Sequence, residues 1–274
     1  MATIYQSGVV WDSITKNGKH EPFELQVGRG LITNHQPVEI FGYSTQIAGT
    51  ALGPLWEGLT QSGGNYAYPS SAGVVVLLSA SGATDAGLIV QVNGLDSSYN
   101  LLSESVTLNG SGTATTTNSF FRINGMFITN GVNAGIITGK IATVLYAQIN
   151  AGVGQTQMSL YTVPKGYTFY LSYVQGNASI GFTSSNYMIF AEYNKFNLAN
   201  TIQENGYNYT VNGNTTLLSQ SPFVQIFNIP YTVPVGHPGG TDIQYQMKSN
   251  TGGPFVGSIF AGGYLIADAT ATTF

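Results

Sequence analysis

A chain with almost no charge has few ways to keep its surface wet, and that restriction narrows its possible folds sharply. Only 7% of its 274 residues are charged, against about a quarter in an ordinary soluble domain. Water-facing positions must therefore be filled by Ser, Thr, Asn, Gln and Gly. With 35 Gly, 17 Tyr and 14 Phe available, the expected solution is strand-rich. Gly and Asn make the turns, while aromatic and β-branched side chains make the core. Neutral polar groups also cost far less to desolvate than charges do. Such an exterior suits a scaffold that is packed into something larger.

Turn signals recur along the chain at the spacing of a sandwich or barrel. Leu88, Val90 and Val92 alternate with Ile89, Gln91 and Asn93, and Asn93-Gly94-Leu95-Asp96 reads as a turn. Leu102–Leu108 follows as a strand, then Asn109-Gly110-Ser111-Gly112 as another turn, then Ser119–Thr129, interrupted at Asn124-Gly125. Ile136–Ile141 and Thr143–Ile149 complete this group. Further on, Tyr167, Phe169, Leu171 and Tyr173 share one face of a strand. Ile243, Tyr245 and Met247 alternate with Asp242, Gln244, Gln246 and Lys248, the pattern of a half-buried antiparallel strand. Asn205-Gly206 and Asn212-Gly213 are hairpin dipeptides. A helical turn is expected only near Phe196–Asn200. Tyr161-Thr162-Val163-Pro164-Lys165-Gly166 is echoed by Tyr231-Thr232-Val233-Pro234-Val235-Gly236, each read as a strand entering a Pro-X-Gly corner.

The fold class is accordingly all-β, with one or two antiparallel β-sandwich (jelly-roll-like) modules and an extended N-terminal arm. Residues 1–50 form the arm, with short strands at Glu24–Val27 and Val38–Tyr43. It either reaches across a neighbour or supplies a ragged first strand. Residues 51–149 form one module, with Trp56 plugging its core, and residues 150–274 form a second.

Chemistry is hard to find in this chain. With no cysteine, disulfides and thiolate metal sites are excluded. His20 and His35 lie in the irregular arm and His237 in a Gly-Pro loop, so no metal is expected and no cofactor is assigned. Asp85, Asp96, Glu104, Asp242 and the other carboxylates form no motif for acid–base work. Gly28-Arg29-Gly30 lacks the Lys and following helix of a phosphate loop. Arg29 and Arg122, the two arginines, are expected to tie loops or subunits to carboxylates. The chain is read as a non-enzyme. A net charge of −4 argues against nucleic acid as partner. No apolar run approaches the ~18 residues of a membrane span, and the start at Met1 has no secretory signal pattern. Tyr and Trp with Asn and Gln can stack on and bond to sugars, although Tyr equally fills β cores and protein interfaces.

Several segments resemble, in this order, a family of tailed-bacteriophage virion structural proteins from podovirus-like phages of aquatic bacteria. They are Pro22-Phe23-Glu24-Leu25-Gln26-Val27-Gly28-Arg29-Gly30, Val38-Glu39-Ile40-Phe41-Gly42-Tyr43, Val90-Gln91-Val92-Asn93-Gly94-Leu95-Asp96, Ser119-Phe120-Phe121-Arg122 and Ala151–Gly166. The resemblance implies a virion protein without catalysis. The expected role is capsid decoration or cement, clamping the shell of major capsid protein as a homotrimer on the capsid surface after assembly in the host cytoplasm. Phe23, Leu25, Arg29 and Phe41 are the expected interface residues. The alternative is a tail component: a fibre, a nozzle or a host-attachment module. A free carbohydrate-binding or hydrolytic protein is the third reading.

Overall fold

The structure, a computed structural model, describes residues 22–47, 52–56, 58, 66–180, 187–196, 201–203, 209–212, 223–249 and 255–268. The expected helical turn after Phe196 and the two Asn-Gly turns lie wholly or partly outside these residues.

The first element is a short helix, α1 (Phe23–Gly28), where a strand was expected at Glu24–Val27. Its end explains the difference. The Leu31 amide donates to the Gln26 carbonyl and the Gly30 amide to that of Val27. Gly30 takes a φ of 69°. That is the left-handed closure glycine allows after a helix, and it is the local use of Gly28-Arg29-Gly30. Val27, 1% exposed, anchors the helix. Then come β1 (His35–Ile47) and β2 (Gly53–Pro54).

Seven strands follow: β3 (Gly73–Ser79), β4 (Ile89–Leu95), β5 (Leu101–Thr107), β6 (Thr113–Phe120), β7 (Arg122–Ile128), β8 (Ile137–Ile141) and β9 (Val144–Ile149). They form one sheet in the order β6, β3, β8, β9 and another in the order β5, β4, β7. All pairs are antiparallel. Val75 and Leu77 of one sheet meet Val90, Val92 and Met126 of the other in a dry core that also takes Trp56. The turn at Asn109 forms as expected, its Oδ1 accepting the amides of Ser111 and Thr113 at 3.0 and 3.1 Å. The turn expected at Asn93–Asp96 sits a few residues later. Asn93 and Gly94 continue β4, and Asp96 closes the turn by accepting the Ser98 and Asn100 amides at 2.8 and 2.9 Å.

The last eight strands are β10 (Leu160–Thr162), β11 (Tyr167–Ile180), β12 (Tyr187–Phe196), β13 (Thr201–Gln203), β14 (Tyr209–Asn212), β15 (Phe223–Pro238), β16 (Thr241–Ser249) and β17 (Phe255–Ala267). One sheet runs β1, β17, β11, β15. The other runs β10, β16, β12, β13, with β14 added on β12 and β2 on β16. Their facing sides share a second core, including Ile40, Phe169, Leu171, Val174, Tyr245, Met247 and Ile259.

The described part of the stretch expected to be an extended arm is thus woven into this second sandwich. β1 pairs with β17 from His35 opposite Ile266 to Ile47 opposite Phe255, and Ile40 is 3% exposed. An edge strand that buries an isoleucine is structural rather than a loose clamp.

The two Tyr-Thr-Val-Pro segments behave differently. The first ends β10 and turns through Gly166 at a φ of 79° into β11. The second lies inside β15, where register jumps from Leu171 opposite Val235 to Tyr173 opposite Pro230. Residues 231–234 therefore bulge from an edge strand, a position where prolines disturb no ladder. β11 answers with its own irregularity between Leu171 and Tyr173. Tyr173 consequently leaves the face of Phe169 and Leu171, and Val174 takes its place in the core.

Candidate functional site

The four expected interface residues fall on or beside one sheet. In β1, Ile40 points into the core, so Glu39 and Phe41 point outward. Phe41 sits opposite Phe260 and is half-buried. Phe23 hangs from α1 onto the same sheet, edge-on to Tyr264 at 5.4 Å and to His35 at 5.8 Å. Leu25 is 51% exposed, and Arg29 is an exposed residue at the helix end. Phe23, Leu25 and Arg29 are neighbours on the α1 segment, while Phe41 lies further along β1.

A more apolar surface lies on the first sandwich, and its signal is visible in hindsight in the run Val74-Val75-Val76-Leu77-Leu78. Val75 and Leu77 are fully buried, whereas Val74, Val76 and Leu78 remain 39, 38 and 45% exposed. Val76 faces Thr115 on one side and Lys140 on the other; Leu78 faces Thr113 and Thr138. A strand with apolar residues on both faces belongs where both faces are covered. Here one face meets the core and the other stays partly exposed among threonines and Lys140.

The carboxylates hold the scaffold together. Asp85, 1% exposed, accepts from the Ser79 hydroxyl at 2.5 Å and from the Ala134 and Gly135 amides at 2.7 and 3.1 Å. Burial alone opposes its charge, but these donors outweigh that and hold its pKa below the usual range. Glu104 accepts the Thr117 and Asn118 amides at 2.6 and 2.9 Å, bracing β5 against β6.

Arg122 meets the expectation for a tying arginine. Its Nε donates to Asp242 Oδ1 at 2.9 Å and its Nη2 to Oδ2 at 3.1 Å. The guanidinium carbon lies 4.2 Å from the Phe121 ring centre and 4.6 Å from that of Tyr68. Burial opposes the charge, yet the bonded Asp242 carboxylate raises the guanidinium pKa above its ordinary value. Arg122 opens β7 of the first sandwich and Asp242 lies on β16 of the second. Beside them, Asn124 exchanges two hydrogen bonds with the Thr162 backbone, each at 2.9 Å.

This join corrects the reading of β16. Asp242, Gln244 and Gln246 are only 1, 5 and 8% exposed, so the strand is buried on both faces rather than half-buried. His237 is corrected likewise. It closes β15 at 4% exposure, stacked on Phe169 at 6.1 Å, and burial pushes its pKa down to about 4. Among the described residues, no three His, Cys, Asp or Glu side chains gather as a metal site.

No protein-family model matches the chain, and no curated protein matches it. Among solved structures, the VP2 subviral particle of infectious bursal disease virus is 10% identical over 88% of this chain and 74% of that one, with a TM-score of 0.24. The structure of the Gx strain of the same virus is 9% identical over 85 and 80% of the two chains, with a TM-score of 0.12. Both scores lie below those of chains that share a fold.

Proposed function

We propose that this chain is a non-enzymatic virion structural protein of a tailed bacteriophage. Its specific role is capsid decoration: it seats on the shell of major capsid protein as a homotrimer and cements neighbouring subunits. The observation that carries this reading is the outward stripe of Val74, Val76 and Leu78 on β3. Three apolar side chains aligned on a central strand, among threonines and a single lysine, form a surface whose covering releases water at little polar cost. The resemblance of the segments between Pro22 and Gly166 to phage virion proteins points the same way.

The test mixes purified protein with phage heads that lack it and sediments the heads. The intact chain co-sediments, and Val76→Lys stays in the supernatant. Imaging labelled particles locates the protein. Density on the head supports decoration. Density on the tail replaces it with a fibre, nozzle or host-attachment component.

A further inference from the structure

The outer face of the sheet containing β1, β17, β11 and β15 carries a groove of about 890 Å³, within the roughly 300–1,000 Å³ of small-molecule sites. α1 walls it on one side and the 231–234 bulge of β15 on the other, so both irregularities of this sheet frame the same depression. Its floor holds Tyr170, Tyr173 and Tyr264.

The floor owes its close packing to glycine. A Cβ at Gly262 would run into the hydroxyl and ring of Tyr173. Without that carbon, the hydroxyl end of the Tyr173 ring packs directly on Gly262 of β17. Tyr170, 37% exposed, lies beyond it, over a segment where a Cβ at Gly263 would strike the Tyr170 carbonyl.

Polar groups converge on these rings. Among the described residues that line the groove, Glu24 and Glu39 carry charge and none is a cation. Burial first, then the nearby Glu39 carboxylate, raises the Tyr173 pKa; burial and Glu24 do the same for Tyr264. Both phenols therefore remain protonated donors.

Aromatic rings, carboxylate acceptors and phenol donors match the two sides of a pyranose ring. Its C–H face lies against an aromatic ring, and its rim of hydroxyls both donates and accepts. The two carboxylates repel uronic, sialic or sulfated sugars. We infer that this groove binds a short neutral glycan, stacked on Tyr170, Tyr173 and Tyr264 and hydrogen-bonded through Glu39 and Glu24. The inference is independent of where on a particle the chain sits.

The test uses the intact purified chain with chitotetraose, maltotetraose and cellotetraose as neutral probes and tetragalacturonate as an acidic one. Saturation-transfer NMR and calorimetry read the binding. At least one neutral probe binds, with transfer from tyrosine protons, and tetragalacturonate does not. Tyr173→Ala weakens binding about tenfold. Gly262→Val does so too while keeping the phenol, because the new side chain displaces the Tyr173 ring from its seat on β17. Where either change lowers the thermal midpoint, Glu39→Gln and the exposed Tyr170→Ala supply the reading in folded protein. Silence of all three neutral probes at millimolar concentration overturns the proposal. So does equal binding of tetragalacturonate, or undiminished binding by the folded variants. Self-association that depends on Tyr173 in place of glycan binding overturns it as well, by assigning the face to a second copy.

Discussion

Arg122 and Asp242 are 120 positions apart in the chain, and their side chains meet at 2.9 Å with 6 and 1% exposure. A pair so far from water is held by geometry and by mutual need. Removing one partner strands a buried charge, whereas removing both does not. Arg122→Met is expected to cost about 3–5 kcal/mol of stability in urea unfolding, and Arg122→Met with Asp242→Leu to recover more than half of that. A double variant as unstable as the sum of the single ones would remove this pair from its place as the tie between sandwiches.

The N-terminal segment offers a second test, because β1 belongs to the second sandwich. Ile40→Ala should cost about 2–5 kcal/mol, as for other buried isoleucines. A chain lacking residues 1–45 should show no cooperative melt in circular dichroism, since it loses Ile40 and most of the β1–β17 ladder. A well-folded truncation would return this segment to the status of a detachable arm.

His237 makes stability depend on pH. The unfolded side chain titrates near 6.5, while burial depresses the folded value to about 4. Between these values the unfolded chain binds more protons. The contribution of neutral His237 is therefore complete above 6.5 and is lost as pH falls toward 4, by up to roughly 3 kcal/mol. His237→Gln should flatten the stability profile over that window relative to the parent chain. Parallel profiles would show that the imidazole is not the group responsible.

The β3 stripe separates folding from assembly. Val76 is 38% exposed but sits opposite Lys140, so Val76→Lys should lower stability by no more than about 1 kcal/mol. Head binding should nevertheless fall about tenfold or more, because an ammonium must then be desolvated at the centre of the contact. Unchanged co-sedimentation, with an unchanged melt, would take this face out of the interface.

Much of the fold was legible in the residues. β8 and β9 lie within a residue of their expected limits, because short strands between sharp turns have little freedom of register. The Asn109 turn was legible for the same reason: its side chain bonds its own backbone. Other features were not. Glu24–Val27 closes as a helix through Gly30, a choice too local for any period to reveal. The two Tyr-Thr-Val-Pro segments share letters but not neighbours, so one turns a corner and the other bulges. Of the expected interface residues, Phe23, Leu25 and Arg29 share the α1 segment, but nothing in their spacing showed the tyrosine floor beside Phe23.

What the amino-acid order settled by itself was the strand-forming habit of the chain. Alternation, turn residues and scarce charge each act over a few neighbours, and their effects survive wherever the strand is placed. Which face of a strand meets water is a different kind of question. Asp242, Gln244 and Gln246 look like a wet face in sequence, yet all three are buried, and Arg122 of the other sandwich answers one of them. Only the tertiary fold decided that, because the partner that compensates a buried polar group is supplied by distant chain.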